Sequence, residues 1–451
     1  MDINAVNDKG ATPLHNAVCK GNKDIINCLL YHGAYVNIQD QEGYTPLHRA
    51  VQKNSMANVL CLLYYNADLT LTNSEGATPL SLATDLQHNE IILHLKSVQI
   101  RSLQMAITQS NLNNVASLLE ANHLKVHINE AIVNGDSLLH LALKTNHVYS
   151  QTEQLVQYLL ENKADIEKRD QNGNTALHVA AERNMIKVVK IFMIHGAMIK
   201  SKNNNGDTAL CLAATNGHTN LVIYLLDHWA DIGNASDNTD DINTHNNMGL
   251  YPIHLAVKFN HLEIVKTLIL RDKANVNLVT SKNDVTPLII AAGHGHVDIM
   301  RFLIDEHGAD VSVRDAINST PLHLACIRGC LEAAKLLLDK GVDVNVKNNM
   351  GETPLQISVF SGNVDMTSLL IKRGASVDTR DTKSGNNLLH QAVEIQCLPA
   401  VILLLQNNVD ITAENNSRLT PLSLAKMSGN TEILKVINAK HMKNKKKNRR
   451  K

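Results

Sequence analysis

The feature that leaves this chain least freedom is a tetrapeptide, Thr-Pro-Leu-His, which stands at residues 12–15, 45–48 and 320–323 and in close variants elsewhere. Aligned on its first position, the copies begin at Thr12, Thr45, Thr78, Ser137, Thr175, Thr208, Tyr251, Thr286, Thr320, Thr353, Asn387 and Thr420. The common step is 33 to 35 residues. Self-similarity at this period marks a stack of like supersecondary units, each too small to bury its apolar face alone. Length by itself would have suggested about two or three globular domains. The stack replaces that expectation with a quasi-one-dimensional array.

Each residue of the unit has a physical reason to be there. Thr12 is an N-cap whose hydroxyl satisfies an orphan helix N–H, and Pro13 follows at the first helical position, where its missing N–H costs nothing. Leu14, Ala17 and Val18 form the apolar stripe of a short first helix. Gly21-Asn22 turns the chain, and Ile25, Ile26, Leu29 and Leu30 supply the stripe of a second helix. Gly33 ends that helix in a left-handed conformation, and Asn7-Asp8-Lys9-Gly10 is the turn of a finger that opens the unit. Aromatics make up 3% of the chain and hydrophobic residues 44%, so a core of Ala, Leu, Ile and Val is required, as stacked helices provide.

This unit resembles the repeat of the ankyrin family, with its 33-residue period and Thr-Pro-Leu-His-x-Ala signature. The resemblance covers nearly the whole chain and is closest to the multi-repeat arrays frequent in intracellular bacteria and protists. It implies an all-α solenoid of about 13 helix-turn-helix units with short hairpin fingers over residues 1–439, followed by a disordered basic tail over 440–451. It also implies that His15, His48, His140, His178, His254, His323 and His390 tie the finger to the helix rather than bind metal.

Departures from the pattern locate the irregular places. The step from Thr78 to Ser137 is 59 residues, which predicts a degenerate unit over about 98–135 whose finger is largely missing; only Leu103 and Ala106 keep the signature. The step of 38 after Ser137 predicts a longer interhelix loop at residues 146–151. The step of 43 after Thr208 predicts a polar finger insertion at about 234–247. Asp237, Asp240 and Asp241 in that insertion lack the calcium-loop spacing.

Several function classes are disfavoured. No metal site, cofactor or catalytic residue is expected, since Cys326 and Cys330 lack further ligands and no nucleophile, metal or phosphate-loop constellation stands outside the repeat grammar. The chain is therefore not expected to be an enzyme or to take a small-molecule substrate. Seven cysteines without a Cys-x-x-Cys pair predict reduced thiols. The absence of a long apolar run and of a secretory leader predicts a cytoplasmic protein, with host-cell cytosol or nucleus as the alternative for an exported effector.

The resemblance implies a monomeric scaffold or adaptor that grips protein partners with finger tips and first-helix ends. At those positions the partner-binding candidates are Tyr44, Lys53, Met248, Leu250, Lys258, Phe259, Val285, Ile327 and Phe360. Trp229 joins them as the single Trp of the chain, standing where Gly33 stands in the first unit; a hot spot is expected at Trp229, Met248, Leu250 and Phe259. Packing among neighbouring repeats is the competing role for these residues. Charge adds a second reading. Eight of the 43 basic residues lie in 440–451 with no acid, leaving 35 basic against 43 acidic residues, a net of −8, in the array. Lys443, Lys445, Lys446, Lys447, Arg449, Arg450 and Lys451 then form a targeting segment directed to the nucleus, to nucleic acid or to anionic membrane.

Overall fold

A computed structural model describes residues 2–109, 111–121, 128–129, 135–145, 149–232, 244–271 and 274–448. The described residues form 25 α-helices and one π-helical turn, with no strand beyond an isolated bridge between Arg380 and Asn387. The chain divides into two compact units, Met1–Met198 and Ile199–Lys451. None of the described helices is long and apolar enough to cross a membrane.

Within each unit the same device recurs. In the first repeat, helices Pro13–Lys20 and Lys23–Tyr31 pack as a pair around Leu14, Val18, Ile26 and Leu30, all buried. Thr12, Thr45, Thr175 and Thr320 are N-caps in extended backbone, each directly before its helix. Positive-φ residues fall at three places per repeat: the finger tip, the interhelix turn and the end of the second helix. Asn66, Lys163 and Asn408 hold the last of these where Gly is replaced.

Three sets of hydrogen bonds hold a repeat together and tie it to its neighbour within each unit. The signature His accepts at Nδ1 from the cap N–H, as His15 does from Thr12 at 3.2 Å, and its Nε2 lies 2.9 Å from the Tyr44 carbonyl of the following finger. The tie therefore runs between repeats as well as within one. Each described finger turn is closed by a polar side chain five or six residues before the cap: Asp40 Oδ1 accepts from the N–H groups of Glu42 and Tyr44, and Thr280 Oγ1 from that of Val285. The fingers then bond tip to tip, Gln41 N to the Lys9 carbonyl in the first unit and Asn349 N to the Ile317 carbonyl in the second.

Inserted residues are absorbed in different ways. The finger expected to be missing before residue 101 is replaced by a continuous 20-residue helix, Asn89–Thr108, so the degenerate unit shares a helix with its predecessor. One extra residue in the repeat at Thr286 becomes the π-helical turn Phe302–Glu306, after which Gly308 still ends the helix. The expected loop at 146–151 is shorter than its length suggested, because helix Tyr149–Glu161 begins inside it; residues 146–148 lie outside the described ones. Helix Thr219–Ile232 runs straight through Trp229. The Trp229 backbone is therefore helical, and the left-handed turn that Gly33 makes in the first repeat is not made at this position. The insertion itself, over 233–243, lies outside the described residues. The expected disorder from residue 440 is also corrected: the last helix is Thr431–Asn448, and only 449–451 fall outside the described residues. Lys440 to Lys447 continue a helix already anchored by buried Ile433 and Ile437.

Candidate functional site

The finger tips and first-helix ends are fixed by the ladder and caps just described, so side chains at these positions are presented from a rigid frame. In the first unit, those around Arg49 and Lys144 are engaged with one another. Tyr44 is half-buried beneath the Arg49 guanidinium, whose Cζ lies 4.1 Å from the ring centroid. Arg49 in turn pairs with Asp40 at 2.6 Å and Glu42 at 2.8 Å. Lys144 likewise pairs with Asp136 at 2.6 Å. Tyr44 is thus a packed residue of a charged cluster, whereas Lys53 is exposed.

The second unit differs. Met248 and Phe259 are exposed, at 64% and 47%, while Leu250, Lys258 and Val285 are half-buried. The Lys258 ammonium lies 5.4 Å from the Phe259 ring centroid. Ile327 and Phe360 are exposed at the first-helix ends of the next repeats but one and two. Sequence reasoning missed two partners of these. Ile317 and Met350 are exposed finger-tip residues three before their caps, the register position of Met248, which is the signal that could have found them. Their fingers are joined by the Asn349-to-Ile317 backbone bond at 3.0 Å. Helices Pro321–Arg328 and Pro354–Phe360 pack side by side. Ile317 with Met350 and Ile327 with Phe360 therefore form two rows of exposed apolar side chains, tips and helix ends, on consecutive repeats. On the same two first helices, Ile357 is buried and Leu324 half-buried.

The remaining candidates are placed less fully. The side chain of Trp229 lies outside the described residues, so its part in a hot spot with Met248, Leu250 and Phe259 is unaddressed. Of the tail, Lys443 is exposed; the side chains of Lys445, Lys446 and Lys447 and all of Arg449, Arg450 and Lys451 lie outside the described residues.

Titratable groups are arranged for structure. Burial pushes His254 down to about 4 and lowers His15, His48, His140, His323 and His390 as well. In His15 an N–H donor faces Nδ1, so the proton belongs on Nε2, where it is donated to the Tyr44 carbonyl. Burial also raises the Cys211 and Cys326 thiols, which keeps them from being thiolates near neutrality. Among the described residues the seven cysteines are free, and no group of three His, Cys, Asp or Glu could hold a metal ion.

Comparison with known proteins agrees with this architecture. Residues 1–73, 103–202, 148–237, 235–315 and 313–381 match the family described as ankyrin repeats (3 copies), and residues 370–425 match ankyrin repeats (many copies). A probable 26S proteasome regulatory subunit p28 of Saccharomyces cerevisiae is 39% identical over 90 residues, 20% of this chain and 39% of that protein. The nuclear factor NF-kappa-B p105 subunit of Gallus gallus is 31% identical over 246 residues, 54% of this chain and 19% of that protein. A putative ankyrin repeat protein of fowlpox virus is 32% identical over 208 residues, 45% of this chain and 47% of that protein. The chain thus spans less than half the length of each of these relatives.

Proposed function

The chain belongs to the ankyrin-repeat family, a protein–protein interaction module, and we propose that it acts as a scaffold or adaptor gripping partner proteins with the finger tips and first-helix ends of its second unit. The observation that carries this reading is the pair of exposed apolar rows, Ile317 with Met350 and Ile327 with Phe360. Side chains of this kind on a rigid, hydrogen-bonded frame lose little entropy on docking and supply the desolvated anchors of an interface. Met248 and Phe259 extend the rows towards the repeat at Tyr251. The activity proposed is binding rather than catalysis, carried out by a monomer in the cytoplasm.

The test compares the wild-type chain with the double variant Ile327→Ser/Phe360→Ser in capture of proteins from a cell lysate. Both substituted side chains are exposed, so melting temperature and helicity should stay within the spread of ordinary surface changes. Partner bands present with wild type and lost with the variant support the reading. Identical captured proteins place the interface elsewhere.

A second reading concerns the basic terminus, since Lys443 is exposed on a helix that continues past the last buried positions. On this reading residues 440–451 direct the adaptor to the nucleus, to nucleic acid or to anionic membrane. Expression in a eukaryotic cell with and without these residues decides it. Nuclear enrichment that needs them supports targeting, and an unchanged distribution without salt-dependent polymer or lipid binding removes it.

A further inference from the structure

The geometry points to a specific kind of partner for the second unit: an amphipathic α-helix with two columns of apolar residues on one face and acidic residues along one flank. This rests on the binding reading above and adds the chemistry of the occupant.

Two features of the site argue for a helix. In the consecutive repeats at Thr320 and Thr353 the anchors recur once per repeat, and stacked helix layers lie about 8–10 Å apart. Seven residues of an α-helix rise about 10.5 Å and return the side chain to nearly the same side. Three residues of an extended strand rise about 10 Å but leave the third side chain on the opposite face, because the strand alternates with period two. The anchors are also doubled: Ile317 and Met350 stand exposed on the tips, and Ile327 and Phe360 exposed on the helix ends. An amphipathic helix presents an apolar stripe at least about 100° wide, enough for both rows. A polyproline helix has a suitable rise of about 9 Å per turn, yet shows only a single ridge on any one side.

Charge selects the flank. In the four repeats capped by Tyr251, Thr286, Thr320 and Thr353, the helix-end row carries Lys258 and Arg328 and no acid. Arg328 is exposed, and no ion pair engages it among the described residues. The finger-tip row has no Lys or Arg at the equivalent positions, and Glu352 there accepts a hydrogen bond from Asn348 Nδ2. Acidic residues of the bound helix should therefore lie on the side of the first-helix ends, where they meet Lys258 and Arg328. The long-range part of that attraction also speeds encounter and weakens with salt.

The experiment is selection of displayed peptides on the full chain, from a library of segments about 20 residues long, matched to a span of about 30 Å. The library has heptad-patterned helices with an acidic flank, the same helices with a basic flank, alternating strand-like segments and proline-rich segments. Enrichment of acid-flanked helices is expected, with affinity falling at least tenfold in Ile327→Ser/Phe360→Ser and severalfold in Arg328→Glu or on raising salt from about 0.1 M to about 1 M. Circular dichroism of both variants must match wild type. Enrichment of basic-flanked helices, strand-like or proline-rich segments, or of acid-flanked helices insensitive to Ile327→Ser/Phe360→Ser, overturns the proposal. So does the absence of any enrichment. If lysate proteins are still lost with Ile327→Ser/Phe360→Ser while no helix is selected, the binding surface stands and its helical occupant does not.

Discussion

At the scale of single residues, the finger tips show how closely one repeat is built onto the next. A Cβ added at Gly43 would stand 2.7 Å from the backbone nitrogen of Ser74, in the following finger, and Gly43 itself sits at φ +74°. Backbone cannot step aside as a side chain can, so Gly43→Ala should cost about 2–3 kcal/mol, well beyond the intrinsic penalty of that conformation. Gln396 is the reverse case. It holds the interhelix turn at φ 56°, a place the other repeats often give to Gly, and Gln396→Gly should raise stability by about 0.5–1 kcal/mol. Urea denaturation of the two variants checks both signs; a neutral Gly43→Ala would mean the fingers are not in contact. Caps, turns and the signature His were all readable from the sequence, because each recurs in a fixed local pattern, although the His also reaches the next finger. Coverage was not. Leu250 and Met248 are both apolar and two residues apart, yet Leu250 is half-buried and Met248 exposed. Tyr44 has the register of a free anchor, yet Arg49 lies over its ring. Which apolar tip is free depends on how neighbouring side chains fold over it, about which the repeat pattern says nothing.

At the scale of elements, the helix Asn89–Thr108 is the clearest departure from the repeat, and a signal for it was present. No Gly or Pro interrupts residues 89–108, so nothing in that stretch would end a helix. The repeat grammar suggested two short helices there, and continuous propensity won. The fused helix carries a cost: Gln99 is 1% exposed, and among the described residues neither its Oε1 nor its Nε2 has a hydrogen-bond partner. A buried amide without partners costs about 1–3 kcal/mol, so Gln99→Leu should stabilise the first unit by about 1–2 kcal/mol, seen as a higher urea midpoint. A lower midpoint would show that the amide is satisfied after all. Hydrogen exchange should also find the amides of 92–121 less protected than those of 286–380, where caps, fingers and helix pairs are regular. Equal protection would mean that the missing finger costs nothing locally. Trp229 teaches the same lesson in another form. Its position in the repeat suggested a strained turn, but the helix extended to Ile232 and the strain was avoided.

At the scale of the whole molecule, stability is a sum of similar terms repeated along each unit, so a small effect at one signature position multiplies. Exposed ion pairs between successive second helices of the second unit, Lys340 with Asp305 and Arg373 with Asp339, add little each, about 0–1 kcal/mol before screening. The buried signature histidines add more, and in one direction. His15, His48 and His140 in the first unit and His254, His323 and His390 in the second are all held below the usual histidine value, chiefly by burial. An unfolded chain takes up these protons near pH 6.5, whereas the folded chain resists, His254 down to about 4. The unfolded state then binds more protons, and stability, complete above about pH 6.5, is lost as pH falls towards 4. The carboxyls of Asp381 and Asp410, lowered by the hydroxyls of Ser384 and Thr412, act only below the ordinary carboxylate range and leave the window between about 6.5 and 5 to histidine. Urea midpoints at fixed ionic strength should be level from pH 8 to about 7 and fall steadily from there to pH 5. The repeat capped by Thr353 supplies the control. Gln356 stands in the His position there, and its Oε1 accepts the Thr353 N–H at 2.9 Å, so an uncharged amide can do the capping. Changing the six histidines to Gln should keep both units folded at pH 8 and flatten the decline below 6.5. A decline of unchanged steepness in that variant would assign the acid sensitivity to other groups, and a level wild-type profile down to pH 5 would show that the buried histidines take up protons without unfolding.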